Sequence, residues 1–489
     1  MKIKICLINA YPLKEMGIVG QIYPPLGLLY LASYARAQFT NLDFLVIDGY
    51  KTRKKNLFEK IWTFNPDIVG VSCTTQASTG AYEIINEIKK RYKENVLIVS
   101  GGAHPSISSE EPLTKSLTDY VVRGEGEIIF SEIIKCVIDN KCENIRKIKG
   151  VSYKYDGEIF DNPLMPLIKD ISTIPFPARD LLDIADYPGY HYKKRERDTS
   201  LVSTRGCPFN CVYCSNPVWK LQRPWYRTRT PKNIADEIEH IIQKYEITEF
   251  YDQTDEFNGN KTWAKTVCDE LIKRKLDIVW KVQMRADNID DELASKMAAA
   301  GCWLGFFGIE TGNDDTSIGV NKNILTEQSV KALRILKNNN IKAFALLMAF
   351  NVWEENGVLK FEDKEKTLNT VRFAEYLVKN NLVDLISWSL TTPYPGSKLY
   401  EIALRHKLIP EELIGKWENW DSSANFVMKL PGVTNNDWLY VQRKGKILQI
   451  KLLFKSGTFN IGSIPMYIKK LYKLVINTIN IKIGKNNIR

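Results

Sequence analysis

The sequence predicts an α/β protein with two successive parallel sheets: an N-terminal doubly wound domain, then a partial (β/α)6 barrel and a small α-helical C-terminal region. Three observations predict it. Short apolar runs alternate with helix-period segments from the start of the chain, the pattern of a parallel sheet covered on both faces. A stretch with five prolines and little periodicity, NPLMPLIKDISTIPFPARDLLDIADYPGY, interrupts this alternation. The alternation resumes at about residue 198 and runs through six strand–helix units. At 489 residues the chain is too long for one ordinary core, and the breaks suggest boundaries at 1–140, 141–195, 196–425 and 426–489.

In the first unit KIKICLINA, LDFLVID, DIVGVSC, VLIVSGG and DYVVRGEGE read as strands. PPLGLLYLASYARA, NLFEKIWTF, AYEIINEIKKRY and IIFSEIIKCV read as the helices between and after them. This is a flavodoxin-like (Rossmann-type) order, whose loops after the strand ends line the ligand crevice. In the second unit the strands are LVSTRG, EITEFYDQ, DIVWKVQMRA, WLGFFGIE, KAFALLMAF and VDLISWSLTTP, so chemistry is expected at their carboxyl ends.

Composition narrows the class. A hydrophobic fraction of 44% with 26% charged residues excludes a disordered or collagen-like chain. No apolar run approaches the roughly twenty residues of a membrane-spanning helix, and no small-residue cleavage site follows the start, so a cytoplasmic protein is expected. The net charge of +11 equals the eleven Lys and Arg residues of 441–489, a segment without Asp or Glu, so any argument from basicity concerns the tail alone.

Nine cysteines in an intracellular chain disfavour a disulfide framework. Six are dispersed, and three are packed as Arg205-Gly206-Cys207-Pro-Phe-Asn-Cys211-Val-Tyr-Cys214, at the end of the first barrel strand. Three thiolates on one short loop can hold three irons of a four-iron cluster and leave the fourth open to an outside ligand. Zinc normally takes four closed ligands, and none of the four histidines (104, 191, 240, 406) lies near this loop in sequence.

The C-x3-C-x2-C spacing, with the aromatic Tyr213 before its last cysteine, resembles the signature of the radical S-adenosylmethionine enzymes. The resemblance implies a [4Fe-4S] cluster on Cys207, Cys211 and Cys214, whose free iron chelates S-adenosylmethionine. Reduction then yields methionine and a 5′-deoxyadenosyl radical, and the electron comes from an external donor such as a flavodoxin or ferredoxin. The resemblance further implies that Tyr213, Asp252, Arg285 and Glu310, at or near strand ends behind the cysteines, hold S-adenosylmethionine. Gly301 to Gly312 is similar to the family's glycine-rich strand, and Thr391-Thr392-Pro393-Tyr-Pro395-Gly396 to its last strand. Plainer readings stand beside these: Arg285 in a surface ion pair, Glu310 as a helix N-cap. FNVWEENGVLKF departs from the G-x-P-G-E-T turn of many relatives.

Residues 1–140 resemble the cobalamin-binding domain that precedes the barrel in one large subfamily. The likeness rests on Pro24-Pro25-Leu26-Gly27-Leu28, Asp48-Gly49, Gly70-Val71-Ser72, Gly101-Gly102-Ala103-His104-Pro105 and Arg123-Gly124-Glu125-Gly126-Glu127. It implies cobalamin contacts from Asp48, Ser72, Gly101, Gly102, Gly124 and Glu125. The D-x-H-x-x-G element is absent, since Gly49, Tyr50 and Lys51 follow Asp48, so the cobalt is expected without a histidine from this loop. His104 reads as stabilising its loop in preference to binding cobalt. A flavin or nucleotide phosphate on the Gly101-Gly102 pair is the alternative.

Together these imply an enzyme that methylates an unactivated carbon. The alternatives are a cobalamin-dependent cyclisation or rearrangement, a methylthiotransferase acting on RNA, and a non-catalytic cobalamin sensor. The methylthiotransferases carry a second three-cysteine set, which Cys6, Cys73, Cys136 and Cys142 do not form. The sequence leaves the substrate open and shows no nucleic-acid recognition module. In the tail, Ile464, Ile468, Leu471, Leu474 or Val475 and Ile479 form an apolar stripe among lysines. It suits a helix packed on the barrel or one lying on the inner face of an anionic membrane.

Overall fold

The computed structural model describes residues 2–455, apart from 13–22, 53, 191, 216–219 and 424. The apolar stripe at 464–479 therefore lies outside the described residues.

The first sheet contains β1 (Ile3–Asn9), β2 (Leu42–Asp48), β3 (Ile68–Ser72), β4 (Leu97–Gly101), β5 (Tyr120–Val122), β6 (Val151–Tyr155) and β7 (Glu158–Asp161), in the order β2-β1-β3-β4-β5-β6-β7. The first five are parallel, as the alternation predicts. Strand residues alternate between two cores. Ile5 and Leu7 join the helices Leu26–Arg36 and Gly126–Ile138 on one face, and Cys6 and Ile8 join Lys54–Phe64 and Ser78–Tyr92 on the other. The order reverses between β1 and β3, which opens a crevice at their carboxyl ends.

β6 and β7 fall within the span read as a connector, and they extend the first sheet as an antiparallel hairpin. The polar strand residues hide the apolar signal, but Asp156-Gly157 has φ of +49° and +85°, the pair a two-residue hairpin turn demands. The rest of the connector ties both units together. Ala178 N–H donates to Leu29 O at 3.1 Å. Arg179, fully buried, donates to Glu237 Oε1 and Ser200 O, both at 2.7 Å.

The second sheet has six parallel strands: β8 (Asp198–Leu201), β11 (Glu249–Asp252), β12 (Val279–Met284), β13 (Cys302–Glu310), β14 (Lys342–Ala349) and β17 (Leu385–Leu390). Their order is β17-β14-β13-β12-β11-β8, and the ends do not pair, so the barrel is partial. Helices Pro231–Tyr245, Lys261–Arg274, Asp291–Ala299, Thr326–Asn338 and Lys364–Lys379 pack outside it. Its bore is filled by aromatics, including Tyr251, Trp303, Phe306 and Phe344. Two come from outside the barrel: Tyr192 of the connector and Tyr23 of the first unit, whose hydroxyl donates to Asp198 Oδ2 at 2.5 Å.

Two short ladders decorate the barrel. β9 (Thr204–Gly206) pairs with β10 (Tyr226–Thr228) beside the cysteine loop. β15 (Val352–Glu355) and β16 (Val358–Phe361) occupy the stretch that departs from the family turn, joined through Asn356-Gly357 at φ +49° and +79°. The helix Asn435–Lys455 lies along β17, so close that a Cβ on Gly445 would come within 2.3 Å of the Trp388 ring. Among the described residues no helix is long and apolar enough to cross a membrane.

Candidate active site: a three-cysteine loop facing an apolar slot

The cysteine loop leaves β9 at Gly206, whose φ of +84° favours glycine and whose N–H donates to Asp255 Oδ2 at 3.0 Å. Val212 anchors its middle: its N–H reaches Val320 O, and its carbonyl accepts from Leu399 N–H, each at 2.9 Å. Cys207, Cys211 and Cys214 are half-buried and form no disulfide. Burial, then the nearby Glu256 carboxylate and the Cys214 and Cys211 sulfurs, push the Cys207 thiol up to about 12 against a partial offset from the Phe209 amide. The three sulfurs thus lie within electrostatic reach of one another, and Arg285 and Lys322 lie within reach of Cys211. Three thiolates carried on one loop suit a cluster, in which each would take a different iron.

Behind the loop, the four predicted side chains behave differently. Tyr213 is buried, with its hydroxyl against Cys211 and in the electrostatic reach of Glu310. Glu310 sits at a register slip in β13 with φ +65° and faces Lys322 Nζ at 3.4 Å. Gly308 lies beside the pair, where a Cβ would come within 2.4 Å of Glu310 Oε1 and 2.7 Å of Lys322 Nζ. Glu310 is therefore in a buried ion pair, and the N-cap reading falls.

Asp252 and Arg285 are buried too, but already engaged. Asp252 accepts from the Ser203 N–H at 3.0 Å and from the Ser203 hydroxyl, and burial raises its carboxyl to about 7. Arg285 grips Asp287 at 2.9 and 2.8 Å, donates to Lys322 O at 2.8 Å and lies 3.6 Å over the Phe209 ring. Its surface reading fails, because only 4% of it is exposed.

Lys322 was not foreseen; Glu256 lies in the Phe250–Phe257 stretch, where the resemblance implies polar groups near the methionyl amine, but it was not named as a site residue. Burial opposes the Lys322 charge, but Glu310 more than offsets it and holds its pKa above the ordinary lysine value. Glu256 accepts the Arg285 N–H at 3.1 Å, and burial lifts it to about 8. Neither belongs to a spacing motif; only the curl of the chain after β13 and β11 brings them to the cysteines.

The second half of the site is a slot of about 330 Å³ in the first unit. It runs from the strand ends, at Ser72, Gly101 and Gly102, along the sheet to Leu7, Gly70 and Val99, under Phe130 and the helix bearing Leu26 and Leu31. Leu7, Gly70 and Val99 are neighbours across three strands, and the missing side chain in the middle strand leaves a floor that Leu7 Cδ2 partly covers, 2.8 Å from where a Gly70 Cβ would stand. At the mouth, Gly102 has φ +97°, and a Cβ there would lie 2.6 Å from Ser72 Oγ. Ser72, Gly101, Gly102, Gly124 and Glu125, from which the resemblance implies cobalamin contacts, all line the slot. Asp48 does not: its carboxylate accepts from Asn9 Nδ2 at 2.9 Å and from the Tyr187 hydroxyl at 3.2 Å. His104 is buried, 3.4 Å from Glu111 and against the Trp417 ring, which fits loop stabilisation.

Slot and loop meet at Arg205, two residues before Cys207. Its guanidinium reaches Glu125 Oε1 at 2.7 Å and also pairs with Glu127. Arg227 binds both oxygens of Glu125 at 2.9 Å. Although burial opposes it, these arginines hold the Glu125 carboxyl below the usual range. All four side chains are less than 10% exposed, so two charge pairs are sealed between the units. Glu125 therefore lines the slot while its charge is used across the interface.

An apolar slot of this size at a β1/β3 switch point, where such sheets hold their ligands, is a candidate ligand site. Its volume lies near the lower end of the roughly 300–1,000 Å³ of small-molecule pockets, and glycines keep its mouth clear. It fits one arm of a large cofactor such as cobalamin, and the cysteine loop carries the donors an iron–sulfur cluster needs.

Fold and site together define a corrin-type α/β domain facing a radical-enzyme barrel. The chain matches the B12 binding domain family over residues 16–134 and the Radical SAM superfamily over residues 201–363. It is 32% identical to the uncharacterized methyltransferase PH0819 of Pyrococcus horikoshii, across 90% of this chain and 91% of that one. It is 29% identical to the anaerobic magnesium-protoporphyrin IX monomethyl ester cyclase of Rubrivivax gelatinosus, across 78% of this chain and 66% of that one. Among solved structures, it superposes on the radical S-adenosylmethionine methyltransferase TsrM of Kitasatospora setae, with cobalamin and a [4Fe-4S] cluster bound, at a TM-score of 0.69 and 18% identity. That match covers 95% of this chain and 92% of the other. The cobalamin-dependent enzyme OxsB gives a TM-score of 0.66 at 17% identity, covering 83% and 61%. The chain belongs to the cobalamin-binding radical S-adenosylmethionine enzyme family.

Proposed function

We propose that this enzyme methylates a carbon of its substrate, using a [4Fe-4S] cluster, S-adenosylmethionine and cobalamin. The observation that carries the reading is the apolar slot fastened through Arg205 to the three-cysteine loop, so that both cofactor sites share one charge cluster. When bound, these groups supply one-electron cleavage of S-adenosylmethionine, hydrogen-atom abstraction and a transferable methyl group.

The protein binds and orients. Cys207, Cys211 and Cys214 would each hold one iron and leave the fourth for S-adenosylmethionine. Tyr213 and the Glu310–Lys322 pair would form the wall beside it. Asp252 and Arg285 act at one remove, the first by fixing Ser203 and the second by fixing Phe209 of the cysteine loop. Ser72, Gly101, Gly102 and Gly124 give the corrin side chains backbone access at the slot mouth. Electrons come from an external flavodoxin or ferredoxin. The basic tail makes peripheral contact with an anionic membrane face, to be checked by co-sedimentation with anionic vesicles.

The test is anaerobic purification with cobalamin supplied. About four irons and one corrin per chain are expected. With substrate, S-adenosylhomocysteine should then accumulate beside 5′-deoxyadenosine. Iron without corrin, even after incubation with hydroxocobalamin, would sink the proposal. The cyclase relative favours a second reading, cyclisation on the same cofactors, and 5′-deoxyadenosine without S-adenosylhomocysteine would select it.

A further inference from the structure

We infer that the slot selects its corrinoid by the lower base, admitting a benzimidazole and discriminating against a purine. The inference rests on the corrin reading of the first unit and goes beyond it. A volume of about 330 Å³ takes one arm of a corrinoid and not its ring, so the ring stays at the strand ends and the nucleotide arm enters.

The polar side chains that line the slot are Tyr30, Ser72, Glu125, Glu127 and Arg205, and the rest of its wall is apolar. Ser72 stands at the mouth, where a sugar or phosphate would pass. Glu125, Glu127 and Arg205 also reach the lining but spend their charges on one another, with Arg205 5.4 Å over the Tyr30 ring. Further in, Leu7, Leu26, Val99, Val122 and Phe130 surround the hollow left by Gly70. None of these side chains donates or accepts a hydrogen bond, and the Gly70 backbone is committed to β1 and β4. A dimethylbenzimidazole presents a mostly apolar bicycle to such walls. An adenine brings ring nitrogens and an amino group that lose water and find no partner there, a cost of about 1–3 kcal/mol per unsatisfied group in general.

Three probes test this, read by corrin absorbance and equilibrium dialysis on the cluster-loaded protein: cobalamin, the adenine-bearing cobamide, and cobinamide, which has no nucleotide. Cobalamin should bind on the order of 10²-fold tighter than the adenine cobamide, the scale on which apolar pockets discriminate. It should also bind tighter than cobinamide. Val99→Thr, an isosteric change that adds one hydroxyl to the wall, should narrow the ratio between the two cobamides. Cobinamide binding to the same variant reports whether its fold and corrin face survive. Equal affinity for the two complete cobamides would overturn the inference, as would cobinamide binding as tightly as cobalamin; in both cases the corrin reading stands. Failure of all three to bind would instead remove the corrin reading itself.

Discussion

The slot of the first unit and the cysteine loop of the barrel adjoin through Arg205, yet their surroundings are inverted. The slot is made of missing atoms: Gly70 between Leu7 and Val99, Gly102 at φ +97°, Gly27 with nothing within 4 Å of where its Cβ would stand. The loop is made of crowded charge: Glu256, Arg285, Asp287, Lys322 and Glu310 packed around three thiols. Shape decides what enters the first, whereas electrostatics and donor chemistry decide what is held by the second. The two sites should therefore fail in different ways when altered.

The sharpest separation comes from the loop. Cys211→Ala should drop iron content and bring S-adenosylmethionine cleavage to background, while corrin binding measured by absorbance stays near that of the parent. Loss of corrin in that variant would break the division between the sites.

Gly27→Leu tests the opposite half. It removes a helix glycine at the slot rim, worth about 0.5–1 kcal/mol of stability. It also places a side chain where corrin is expected, lowering affinity by roughly tenfold or more, the equivalent of about 1–3 kcal/mol of overpacking. The expected result is a higher melting temperature without cofactor, unchanged iron and weakened corrin binding. Unaltered corrin affinity would show that the arm does not pass the rim.

Arg205→Leu joins the two halves in one substitution. It leaves Glu127 without its arginine and Glu125 with one arginine in a sealed interface, costing about 3–5 kcal/mol in chemical denaturation. Iron and corrin retention should fall together. Loss of one with full retention of the other would show that the clamp serves only a single unit.

The smallest effect is a pH dependence. Burial raises Asp252 to about 7, so between the ordinary carboxylate range and pH 7 the folded chain holds a proton that the unfolded chain has lost. Its contribution is complete below about pH 4 and declines as pH rises through 7. Asp252→Asn should flatten part of the fall in melting temperature between pH 5 and 8 in the cofactor-free protein. An unchanged slope would assign the fall to other groups, Glu256 first among them.

What could be read in advance follows from how local each signal is. The cysteine spacing lies within eight residues, and the strand–helix alternation repeats along the chain, so cluster and fold class were both legible. Of the six first-unit residues singled out, five line the slot, because small residues at strand ends mark a crevice wherever the sheet reverses. Asp48 shares that position but faces Asn9 and Tyr187, and no one-dimensional pattern says which way an end residue turns. The slot itself depends on three strands in register, and the Lys322–Glu310 pair on a bulge in β13. The two hairpins were legible in principle, since Asp156-Gly157 and Asn356-Gly357 are strong turn signals, but the polar residues in the flanking strands interrupt the apolar pattern of a buried strand.

The hollow beneath Gly70 also bears on the life of the chain in its cell. A domain folded around an unfilled slot forgoes the packing its ligand would supply, and occupancy at a hundredfold excess over the dissociation constant adds about 2.7 kcal/mol to a native state. Vitamin supply is then expected to set abundance as well as turnover. Chains made during scarcity should be cleared faster by quality control, and a pulse-chase comparison of half-life with and without cobalamin in the medium would reveal a nutritional checkpoint written into an empty space.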